Sequence, residues 1–191
     1  MIHRAVFGAP GAHRRVVVIE EGRAAPSDPH PAVTASHRVS VLSVRIADAA
    51  EDTQAERDVL ASTRAVMREF LDADESFGLV GIGTGGGRLA IALADALADR
   101  VDALVLIGVE RPEGLTADLE RDELAAVRAA GLVIDTDERA DAARWHADAL
   151  SRSSDSSGAR VSLVLGRDGR VSLRDVWDEV VGHVAAPTTA T

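Results

Sequence analysis

Apolar positions in this chain fall into short unbroken runs separated by amphipathic stretches. Within Arg15–Glu20, Val16, Val17, Val18 and Ile19 are four β-branched residues in a row. Such a run predicts a strand buried on both faces, as in a parallel sheet. Glu21–His37 is rich in Pro, Ala, Ser and Asp and predicts a loop. Val39–Ile46 is β-branched and alternating, and predicts a second strand. Over Glu56–Leu71, apolar side chains return at intervals of three and four, from Val59 and Leu60 to Phe70 and Leu71. That period belongs to an amphipathic helix. Phe77–Ile82 reads as a strand, Gly83–Gly87 as a glycine turn, Leu89–Ala98 as a helix apolar almost all round, and Val101–Val109 as a further buried strand.

Beyond Glu110 the pattern loosens. A helix is predicted over Thr116–Ala130, with Thr116 as N-cap and Gly131 as C-cap. A short strand follows at Leu132–Ile134. Next comes a helix over Glu138–Leu150, with Trp145 and Leu150 as its heavier anchors, and a polar loop over Ser151–Ser157. Arg160–Leu165 is the last clear strand and Gly166–Gly169 a turn. The final helix is expected over Ser172–Val184, where Ser172 and Asp175 have the spacing of a capping box. Alternation of strands and helices implies a three-layer α/β/α sandwich, with a mainly parallel sheet and right-handed crossovers. One domain over 1–184 with a frayed tail over 185–191 suits the 191 residues.

Composition narrows the chemistry. Hydrophobic residues make up 46% and charged ones 27%, an ordinary globular balance, but aromatics are only 3%. The core must therefore be aliphatic. Thirty-one acids against 21 bases give a net charge of −10, which repels phosphate backbones and argues against nucleic acid and anionic membranes as partners. The lack of cysteine excludes disulfides, thiol catalysis and cysteine-based zinc sites. The N-terminal stretch has no apolar core followed by a cleavage site, and no segment is long enough to span a bilayer, so a cytoplasmic protein is expected.

The most informative segment is FGLVGIGTGGGRLAIALADALADRVDALVLIGV, Phe77–Val109. A strand enters a glycine-rich turn, a helix leaves it, and another strand follows. This block resembles the centre of the α/β-hydrolase family, where the strand ends in G-x-S-x-G-G and the serine sits at a strained strand-to-helix elbow. On that pattern Gly81 is the first glycine, Gly83 stands at the serine position, Thr84 follows it, and Gly85 and Gly86 close the motif. The resemblance implies a hydrolase-like fold without a developed lid, no cofactor, and a crevice at the C-terminal ends of the strands. Glycine at the nucleophile position removes the hydroxyl that serine-type acyl transfer needs.

The other parts that the resemblance implies also depart from the pattern. Asp168 sits where the triad acid is expected, although Asp168-Gly169 is also a strong turn pair. His183 is the only late histidine, but it falls in the last predicted helix, where interaction with the helix end explains it. Glu21-Gly22-Arg23 replaces the His-Gly start of the family's oxyanion loop, and an acid there opposes a developing oxyanion. The expectation is a small-ligand-binding or interaction protein, with Gly22, Arg23, Gly83, Thr84 and Gly85 around the ligand. Two alternatives remain open. One is a weak esterase that uses Thr84 or an activated water, with Asp168 and His183 as its remaining catalytic groups. The other is a nucleotide-binding module, because Gly81, Gly83 and Gly86 also satisfy G-x-G-x-x-G after a strand and before a helix, though no acid lies at the ribose-binding distance.

Other groups invite plainer readings. His3, His13, His30 and His37 lack a paired metal-ligand spacing. Asp135, Asp137, Glu138 and Asp141 could attract a cation, but they also suit a solvated helix start. Trp145 and Trp177 read as packing anchors. Arg88 could meet an anion near the turn or pair with a carboxylate.

Overall fold

A computed structural model describes residues 2–8, 12–22, 26, 29, 31–47, 53–157, 161–166, 171 and 173–185. Seven strands form one sheet: β1 (Ile2–Gly8), β2 (Arg14–Glu21), β3 (Val39–Ile46), β4 (Phe77–Ile82), β5 (Val101–Ile107), β6 (Ala130–Thr136) and β7 (Val161–Gly166). Their spatial order is β1-β3-β2-β4-β5-β6-β7. β1 runs antiparallel to β3, and the remaining pairs are parallel. The expected three-layer sandwich with a mainly parallel sheet is what the chain forms.

Six α-helices are present among the described residues: α1 (Pro31–Ser36), α2 (Thr53–Phe70), α3 (Gly83–Ala96), α4 (Leu115–Ala126), α5 (Ala140–Ser157) and α6 (Trp177–Ala185). The period-two alternation of strand side chains divides them between the two faces. Val17 and Ile19 of β2 point into a core closed by Met67 of α2, Leu89 and Leu93 of α3, Leu124 of α4 and Ala143 of α5. Val16 and Val18 point the other way, against Trp177, Val180, Val181 and Val184 of α6, with Val33 of α1 packed beside them. The four-residue run Val16–Ile19 is wholly buried because each face of its strand meets a helical layer.

Several predicted boundaries need correction. β1 was not expected, and α1 lies inside a predicted loop. The glycine run is not a separate turn, since it forms the opening of α3. α4 is shorter than predicted, with Gly114 rather than Thr116 as N-cap, and Gly131 belongs to β6 rather than capping a helix. Ser151–Ser157 extends α5 instead of forming a loop. α6 starts at Trp177, so Asp175 precedes the helix. Ala185 closes α6 rather than opening a tail. Ser172 and the tail from residue 186 onward lie outside the described residues.

Candidate functional site

In a parallel sheet the strands deliver their last residues to one end, and here those residues lie side by side. β2 ends at Glu21, β4 gives way to Gly83, β5 to Gly108, and β6 ends in Asp135 and Thr136. The register pairs Ile82 with Ile107 and Ile107 with Ile134, so Gly83, Gly108 and Asp135 follow at the same level. Two strand spacings separate the backbones at Gly83 and Asp135 by about 10 Å.

Gly83 has φ +70°, in the left-handed region, and a Cβ built there would meet no atom within 4 Å. The backbone here takes a conformation that costs an ordinary side chain energy, and the position faces open space. Behind it the packing is tight. A Cβ on Gly81 would lie 2.7 Å from the Gly87 Cα and 2.8 Å from the Gly86 carbonyl oxygen, so glycine allows β4 and α3 to come together.

Glu21 reaches across to this turn. Its Oε2 accepts the Gly85 N–H at 3.0 Å. The neighbouring acid, Glu20, points into the sheet instead, where it is buried, paired with Arg45 and 3.3 Å from the Ser43 hydroxyl. Gly22, at φ +142°, turns the chain away from β2 and donates its N–H to the Ile46 carbonyl at 2.9 Å. Arg23 lies outside the described residues. The amides that a nucleotide phosphate would seek therefore already include one bonded to a carboxylate of the chain itself.

Of the three expected catalytic groups, Thr84 and His183 are described, and they lie apart. Thr84 is half-buried in the first turn of α3. His183 lies in α6, hydrogen-bonded to the backbone of Ala130 at the start of β6. Val184 beside it packs where a Cβ of Gly78 would be, near the start of β4. His183 thus belongs to the opposite edge of the sheet from Thr84. Its Nε2 has no hydrogen-bond partner among the described residues, and burial lowers its pKa below the usual histidine value. Asp168 lies outside the described residues. It follows β7 in the chain.

A described acid at the strand ends is Asp135, whose sequence context suits a solvated helix start. It is buried at the end of β6, with β7 still to come. Its Oδ1 accepts the Thr136 N–H at 2.9 Å, and Oδ2 lies 3.6 Å from the Arg139 Nε. Burial raises its pKa above the ordinary aspartate value, and Glu110 adds to this, while the Thr136 amide, Arg139 and His146 pull it down. The available signal was an apolar run, Leu132–Ile134, that ends in Asp-Thr.

A second polar cluster backs this edge. His146 of α5 is fully buried. Its Nδ1 is 2.8 Å from the Ala142 carbonyl and its Nε2 is 3.1 Å from Glu120 Oε1. The carbonyl only accepts, so Nδ1 carries a proton and donates it. Arg88 lies 3.6 Å from Glu120 Oε2, which settles that arginine as the partner of a buried carboxylate. Among the described residues no group of three or more His, Asp or Glu side chains could hold a metal ion, and no helix is long and apolar enough to cross a membrane. A cavity of about 360 Å³ between β1 and α2, lined by Leu42, Val66 and Phe70, lies at the side of the sheet and not at the strand ends.

No protein-family model and no curated protein matches the sequence. Solved structures do match the fold. The monoacylglycerol lipase of Paleococcus ferrophilus superposes with a TM-score of 0.63 at 11% identity, covering 96% of this chain and 99% of that one. A thioesterase domain from the curacin biosynthetic pathway gives 0.64 at 12% identity, covering 95% and 93%. The Bacillus cereus carboxylesterase gives 0.60 at 11% identity, covering 95% and 92%. Identities this low speak for architecture alone, and the architecture of this chain is the α/β-hydrolase fold.

Proposed function

We propose that this protein is a hydrolase-fold binding protein without serine-nucleophile chemistry, and that it holds a small molecule in the crevice at the C-terminal ends of β2, β4, β5 and β6. One observation carries the reading. The elbow keeps its left-handed backbone and its open space, yet the residue there is Gly83, which has no side chain to attack with. Thr84 is a poor substitute, because it points from the position next to the elbow and His183 lies at the far edge of the sheet. Ligand contacts are assigned to Gly22, Gly83, Thr84 and Gly85, with Asp135 two strands away.

The test is hydrolysis of short-chain p-nitrophenyl esters by the purified protein and by Thr84→Ala. The expected result is no turnover above the spontaneous rate in either. Turnover in the wild type that vanishes in Thr84→Ala would establish a threonine-dependent esterase instead.

A further inference from the structure

Nothing on α3 caps its own N-terminus. Its cap residue, Ile82, makes no side-chain hydrogen bond, and its first turn contains no acid. The first N–H groups of a helix lack intrahelical acceptors and carry partial positive charge. Glu21, from a different strand, supplies the missing acceptor through its bond to the Gly85 N–H. The fit is specific to glycine. A Cβ on Gly85 would lie 2.7 Å from Oε2, 2.8 Å from Cδ and 3.1 Å from Oε1 of that carboxylate. On the β2 side the Gly22 N–H is already committed to Ile46. The turn thus has a fitted carboxylate beside the open space at Gly83.

We infer that Glu21 is the resident anion of this turn and bars other anions from it, so that carboxylates, phosphates and nucleotides are turned away. This rests on the reading that the crevice is the ligand site. A second anion within about 4 Å of Glu21 would meet a like charge in a partly desolvated place and find the Gly85 amide already bonded. Glu110 and Asp135 add negative charge along the same edge, close enough that Glu110 raises the Asp135 pKa.

Chemical rescue tests the inference. Thermal unfolding of wild type and Glu21→Ala is followed against sodium acetate and inorganic phosphate, with ionic strength held by sodium chloride. Loss of a helix cap should lower the melting temperature of Glu21→Ala by about 3 °C. Acetate at about 100 mM should restore most of that loss in Glu21→Ala while moving the wild type no more than chloride does. The Gly85 amide resonance of the wild type supplies an independent readout that does not depend on the variant folding, and it should stay fixed as acetate or phosphate is added. The inference is overturned if that resonance shifts saturably in the wild type, or if folded Glu21→Ala gains no more from acetate than the wild type. Ester turnover by the wild type would remove the binding-protein reading without touching either result, and failed anion exclusion would leave that reading in place.

Discussion

Gly83 and Gly86 sit three residues apart in one turn and are glycine for different reasons. At Gly83 the constraint is conformational: φ is +70° and no neighbour lies within 4 Å of an added Cβ. At Gly86 it is steric, since a Cβ would lie 2.6 Å from the Ile19 carbonyl oxygen and 3.2 Å from the Glu20 Cα, both backbone atoms of a buried strand. Gly83→Ala should therefore cost only the left-handed penalty, about 1–2 kcal/mol. Gly86→Ala must push α3 away from β2 and should cost about 3 kcal/mol or more. Urea unfolding with an unchanged m-value measures both. Equal losses at the two positions would contradict the assignment of strain to one and close packing to the other. The glycines and Glu21 were visible in the sequence as an unusual turn and an acid in a loop that disfavours one. What the sequence could not give was the bond between them, because Glu21 and Gly85 meet only when β2 and β4 pair.

Helices and strands were legible where one period dominates. Val39–Ile46 and Phe77–Ile82 have the predicted bounds, since each is β-branched or apolar enough to read as a strand and is buried along nearly its whole length in the sheet. β1 escaped notice because it is an edge strand, exposed at His3, Arg4, Val6 and Gly8, and it borrows its order from β3. The Ser-rich end of α5 reads as a loop by composition, yet the backbone carries the helix on through Ser157. Between α4 and α5 the buried His146–Glu120 pair has no local pattern to mark it, because its partners are 26 residues apart. Glu120→Ala would leave the imidazole without its carboxylate and Arg88 without its partner, at a cost of about 3–5 kcal/mol. Replacing both Glu120 and His146 by leucine should cost much less, because the one charge then left alone, Arg88, is half-exposed and can turn to water. A double-mutant cycle in urea separates the two outcomes. A double variant as unstable as Glu120→Ala would mean that the pair contributes packing rather than charge compensation.

At the scale of the molecule, the sheet order and the parallel pairing place Gly22, Gly83, Thr84, Gly85 and Asp135 at one end of the strands and His183 at the other. This is why a late histidine legible in the sequence lies away from Thr84. Its burial has a different consequence, which appears in the pH dependence of stability. Desolvation lowers the His183 pKa below its ordinary 6.5, and the bond to Ala130 offsets this only in part. Below pH 6.5 the unfolded chain therefore takes up a proton that the folded chain resists, and stability falls as the pH falls. Asp135 and Glu123 act with the opposite sign. Burial raises both above their ordinary values of 3.8 and 4.5, so the folded chain binds their protons more tightly and their contribution is lost as the pH rises through that acidic range. The histidine should thus dominate the change just below neutrality, and the carboxyls should oppose it at more acid pH. His183→Asn keeps an N–H donor for Ala130 but has no proton to gain. Urea midpoints taken from pH 7.5 down to pH 5 should fall less steeply in His183→Asn than in the wild type, with the difference developing below about pH 6.5. A difference independent of pH would mean that His183 takes up its proton as readily in the fold as in the unfolded chain.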